Sequence, residues 1–149
     1  MQLTLEEIRP GVVAALDTTI LRGLGGSLTN AVSGPEGDRA VVDVHRFLVV
    51  HVDAATATCT AVPLYDRGAV GNQPLDDAKK SGPGEGWIGA EWFFSRWQHW
   101  RIPLTAVVEA SVAEDTNLSE RRSYATADRS ALDDIRVWES RNRAAYRPV

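Results

Sequence analysis

Two valine-rich runs joined by a five-residue link, over residues 40–65, constrain the fold of this chain more than any other feature. The runs AVVDVHRFLVVHV and TCTAVPLY are dense in the β-branched side chains that suit a pleated, half-buried surface. The link DAATA has the length of a hairpin connection, so the runs are expected as antiparallel neighbours over about 40–52 and 58–65. The first run is longer than an ordinary strand, which predicts a bend or bulge near 43–46.

Around this pair the order of elements follows from caps and breakers. Residues 4–9, TLEEIR, read as about one helical turn, with Thr4 as cap, Glu6 and Glu7 in the first turn and Pro10-Gly11 as the stop. GVVAALDTTIL has strand-like composition, although its alanines and length leave a helix open. Glycine and proline crowd 23–39 and 66–86, which read as long loops. The stretch from Trp87 predicts two strands with a turn near Ser95–Gln98, then a strand at about 104–112, and EDTNLSERRS reads as a turn or loop. Ser130 with Asp133 opens a capping pattern, and Leu132, Ile135, Trp138, Asn142 and Ala145 follow at helical spacing, predicting a C-terminal helix. The expected fold is mainly β: one domain over 1–149, a small curled antiparallel sheet or SH3-like barrel with a C-terminal helix.

Composition narrows the function classes. No stretch approaches the roughly 20 apolar residues of a membrane span, and the N-terminus lacks the layout of a secretory signal. A cytoplasmic, non-membrane protein is expected. A lone cysteine, Cys59, excludes an intramolecular disulfide. Net charge of −4 is the wrong sign for coating nucleic acid by bulk electrostatics, so any such contact needs a local patch. The mildly arginine-rich C-terminal end reads as a solvated helix face.

The remaining motifs are sparse. His45 and His51 lie six apart, which in a regular strand means one face and a separation of roughly 20 Å, too far for one ion. No metal site and no cofactor are expected. Cys59 sits in an apolar pattern where a thiol is usually a small buried hydrophobe, and GLGG at 23–26 lacks the ending of a phosphate loop. Trp87, Trp92, Trp97 and Trp100, interleaved with Arg96, His99 and Arg101, have the composition of a surface that stacks bases or anchors a partner. Large aromatics equally fill the core of a small β domain, and both readings stand at this point.

The order RPG, apolar strand, HRFLVVHVD, hairpin, TAVPL, long loop, strand pair and late helix resembles the PemK/MazF family of mRNA interferase toxins. The resemblance is carried by residues 9–65. It implies an SH3-like barrel, a homodimer, single-stranded RNA as substrate, an antitoxin-like protein as partner and metal-independent endoribonuclease activity. The family's strand arginine falls on Arg46, and its P-L-T strand end falls on Pro63, Leu64 and Tyr65. Phe47 stands where the family has proline, and Tyr65 where it has Thr or Ser. Arg46 and Tyr65 are therefore the implied catalytic pair of a toxin or of a catalytically altered relative.

Metal-independent RNA cleavage needs a base for the 2′-hydroxyl, a cation for the phosphorane and an acid for the leaving oxygen. Arg46 suits the second role, because a guanidinium fork binds phosphate oxygens in pairs. The alternatives are a non-enzymatic SH3-like module using Trp92, Arg96, Trp97, His99, Trp100 and Arg101 to hold a protein or nucleic-acid partner, and an accessory subunit whose tryptophans are all core.

Overall fold

The computed structural model describes residues 2–31, 40–68, 72–82, 86–95, 98–111, 122–125 and 146–149. The expected C-terminal helix and most of EDTNLSERRS lie outside them; Ser123, the last residue of that stretch, belongs to a strand.

The central hairpin forms as its sequence predicts. β3, Val44–Asp53, and β4, Thr58–Tyr65, pair antiparallel, and the Asp53 side chain accepts hydrogen bonds from the amides of Ala55 (3.0 Å) and Thr56 (3.4 Å) to shape the turn. The bulge lies elsewhere than expected: the register shifts between Val49 and His51. That extra residue moves His51 to the face opposite His45, so the two imidazoles do not share a side of the strand. At 43–46 the irregularity is confined to Asp43, whose φ of 57° is left-handed backbone that aspartate tolerates.

GVVAALDTTIL divides at Asp17. β1, Val13–Asp17, pairs antiparallel with β3, and α1, Thr18–Leu24, begins where the Asp17 carboxylate accepts the Thr19 amide at 2.9 Å. Gly25, at φ 74°, ends the helix. The 23–39 stretch is not all loop: β2, Leu28–Thr29, joins the sheet. Nor is 66–86 an exposed excursion in its described part. It contains β5, Asn72–Pro74, a 3₁₀ turn at Asp77–Lys79 and β6, Lys80–Ser81, and it buries Leu75 and Lys80.

β7, Phe93–Ser95, and β8, Trp100–Pro103, both lie against β4. The strand expected at 104–112 is a helix, α2, Leu104–Ala110. Its β-branched Val107 and Val108 favour strand locally, but Ala106, Val107 and Ala110 fall on one helical face, and that face is buried. β9, Ser123–Tyr124, pairs with β6, and β10, Arg147–Pro148, with β2.

The main sheet runs β1-β3-β4-β8-β2-β10, with β7 also on β4 and β5 on β7. Among the described residues it is antiparallel throughout and does not close into a barrel, which selects the open-sheet form of the expected fold. Alternation along β3 and β4 sends side chains to two cores. One gathers Leu16, Leu21, Phe47, Val49, Cys59, Ala61, Trp100, Ile102 and the buried face of α2; the other gathers Val13, Leu48, Val50, Val62, Leu64, Trp87, Phe94 and Tyr124. Both faces of the central strands are thus covered. Trp87 and Trp100 anchor one core each, and truncating such a side chain to alanine costs about 3–5 kcal/mol. No helix among the described residues is long and apolar enough to cross a membrane.

Candidate functional site

The β3·β4 ladder starts at Phe47↔Pro63, and beyond it β4 continues against β7 through Leu64↔Phe94 and Tyr65↔Phe93. Residues 44–46 of β3 stay with β1, Arg46 opposite Ala15. Between these diverging ends lies an open cleft of about 320 Å³ lined by Ala15, Val44, His45, Arg46, Leu64, Tyr65, Asp66 and Trp92. The hairpin thus delivers three consecutive residues of one strand, Val44, His45 and Arg46, with the end of the other, to a single opening.

Arg46 and Tyr65 both line this cleft from opposite faces of the sheet. Arg46 shares its side with Leu48 and Leu64, and its guanidinium carbon sits 4.6 Å from the centroid of the Trp92 ring. Tyr65 packs against the other core. Half-burial pulls the Arg46 pKa below its usual value, the charge of Arg122 adds to that, and Asp66 opposes it. The guanidinium keeps its proton at any physiological pH. A desolvated cation beside a second one is electrostatically suited to an anion.

Tyr65 shares its face with His45, whose ring meets it edge-on at 5.3 Å and meets Phe47 at 5.9 Å. Burial lowers the His45 pKa, Arg46 lowers it further, and the Leu64 backbone and Asp66 raise it. Its Nε2 is buried without a hydrogen-bond partner among the described residues. His45 is thus held neutral and shielded. The Tyr65 hydroxyl meets the side chain of Gln98, whose Nε2 lies 3.3 Å away.

The tryptophan segment does not form one surface. Trp100 is wholly buried, its ring edge-on to Phe47 at 5.4 Å and its indole N–H donating to Gln98 Oε1 at 2.7 Å. His99 is also wholly buried, its backbone amide donating to the Asn30 side chain at 2.7 Å. These two cannot serve as the surface contacts that composition suggested. Trp92 is half-buried at the cleft, while Arg101 is exposed with its guanidinium 3.9 Å from the Tyr146 ring centroid. Arg96 and Trp97 lie outside the described residues.

Sequence reasoning did not find the Arg46–Trp92 pair, the place of Asp66 at the cleft or the role of Gln98. Arg46 and Trp92 are brought together only by β7 lying against β4, which no local pattern encodes. Gln98 had one signal, an amide side chain among large aromatics, where a buried polar group must find partners. No group of three His, Cys, Asp or Glu among the described residues is placed to hold a metal ion.

Comparison with family models, curated proteins and solved structures gives no match.

Proposed function

We propose that the cleft binds single-stranded RNA and that the protein is a PemK/MazF-like growth inhibitor of catalytically altered type, binding RNA in preference to cutting it. The observation carrying this reading is Arg46, stacked on Trp92 and half-buried at the opening, with the charge of Arg122 nearby. A guanidinium so held offers its fork to phosphate oxygens at little entropic cost. The open mouth admits a flexible strand. The cleft contributes one cation for an anionic transition state, but its one imidazole has Nε2 buried, which supports binding over acid–base turnover.

A homodimer, an antitoxin-like protein partner and a cytoplasmic location belong to the same reading through the family resemblance. The alternative module built on residues 92–101 has less support, because Trp100 and His99 are interior.

The test is fluorescence anisotropy with labelled single-stranded RNA in the absence of divalent metal, with the same samples run on a denaturing gel. Binding that weakens with salt and falls at least tenfold in Arg46→Ala is expected, with the RNA intact. Cleavage that Arg46→Ala abolishes would restore the full interferase reading, and neither binding nor cleavage would remove the RNA reading altogether.

A further inference from the structure

The segment that carries Trp92 to the cleft is held by two charged side chains from outside it. Residues 86–90 form a turn with Gly86 at φ 77° and Gly89 at φ 82°, left-handed backbone that glycine adopts without strain. The Trp92 indole N–H donates to the Gly86 carbonyl at 2.6 Å, and the Trp92 carbonyl accepts the Leu75 amide at 2.7 Å. The ring therefore takes its bearing from the turn. The turn takes its own from Asp77 and Lys80. Asp77 Oδ2 accepts the Gly89 amide at 2.7 Å, and Oδ1 accepts the Lys80 ammonium at 2.7 Å. That ammonium also donates to the carbonyls of Trp87 at 3.1 Å and Ala90 at 2.6 Å. The Asp77 carboxyl is held below the usual carboxylate range, first by the bond from Lys80 and then by the Gly89 amide, so it is charged at neutral pH.

We infer that Asp77 is a positioning residue of the cleft: gripping the 86–90 turn directly and through Lys80, it sets the Trp92 ring against which the Arg46 guanidinium lies at 4.6 Å. Asp77 is not among the residues that line the opening, so its effect on a ligand passes through that ring. Its side chain is 49% exposed and belongs to neither core, so its loss acts on the turn before it acts on the fold. The consequence for RNA rests on the reading proposed above; the placement of Trp92 by Asp77 does not.

Asp77→Ala tests it by removing both acceptors. In a proton–nitrogen correlation spectrum the Trp92 indole N–H, assigned by its disappearance in Trp92→Leu, should move in Asp77→Ala. The Trp100 indole, buried in the other core, should stay in place. Affinity for single-stranded RNA, read by anisotropy, should fall about three- to tenfold. In a Trp92→Leu background the same substitution should change affinity by less than about twofold, because two residues that act through one contact do not add. A residue that merely stabilised the fold would weaken binding equally in both backgrounds.

A Trp92 resonance that stays in place overturns the inference, and so does a Trp100 resonance that moves as far. Unchanged RNA affinity in a variant whose Trp92 has moved overturns it too, as does an equal loss with and without the ring. If wild-type protein binds no RNA, the RNA reading falls, while the spectrum still decides whether Asp77 sets the ring. Should Asp77→Ala not fold, Asp77→Asn takes its place: it keeps one acceptor oxygen, so either Lys80 or the Gly89 amide loses its partner, and the same outcomes decide.

Discussion

The guanidinium of Arg46 lies against the face of Trp92, joining the first strand of the hairpin to a side chain delivered by a distant segment. A cation–π contact of this kind is worth about 0.5–2 kcal/mol. Trp92→Leu keeps apolar bulk at the cleft and removes the ring's negative face. Affinity for single-stranded RNA should fall about 3–30-fold, measured by anisotropy, with little change in melting temperature. An unchanged affinity would show that the ring does not hold the cation for its ligand.

His45 makes stability depend on pH. Its folded pKa is lowered, chiefly by burial, so between that value and the ordinary histidine value of about 6.5 the unfolded chain binds the proton more readily. The stabilisation is complete above about 6.5 and drains away as pH falls through the window toward the folded value. The urea midpoint should therefore drop between pH 7.5 and pH 5, and His45→Phe should shrink that drop. Identical slopes in the two proteins would place the effect at another group.

Cys59 should be chemically silent in the native protein. Its side chain is buried near the start of β4, and burial pushes the thiol pKa up to about 12, so the reactive thiolate is scarce at neutral pH. An aromatic disulfide reagent at pH 8 is expected to label it only at the rate at which the sheet opens, and immediately in denaturant. Fast labelling of folded protein would contradict its place in the core.

Lys80 locks the segment that covers the second core. Its ammonium donates to Asp77 Oδ1 at 2.7 Å and to the carbonyls of Trp87 at 3.1 Å and Ala90 at 2.6 Å, and its side chain is 1% exposed. Lys80→Met keeps the length of the stem and leaves both carbonyls without this donor. A loss of roughly 2–4 kcal/mol in denaturant unfolding is expected, and a loss under about 0.5 kcal/mol would show that water replaces the ammonium freely.

The parts of this fold that were legible in the sequence are those decided within a few residues. The bounds of β4 agree with the reading because its apolar run is short and ends in Asp66-Arg67-Gly68, and the DAATA turn needs only Asp53 to organise it. Where a distant surface decides, local pattern misleads. Val107 and Val108 argue for a strand, yet the burial of Ala106, Val107 and Ala110 makes that segment helical. Asp17 was a readable cap before two threonines, hidden inside a run whose composition suits a strand. At the cleft, Arg46 and Tyr65 were found from short matches, but which face each occupies follows from register and pleat. Trp92 and Gln98 reach them only through β7 and β8 lying against β4.

Because packed layers cover both sides of β1, β3 and β4, the described part of the molecule offers no broad flat platform on those strands. Its notch sits where the strand ends separate, so a guest must come in tip first. On the reading proposed above, stiffness then becomes a criterion of selection: a rigid double helix finds no such platform among the described residues, whereas a thin, bendable polymer can feed one unit at a time into the gap.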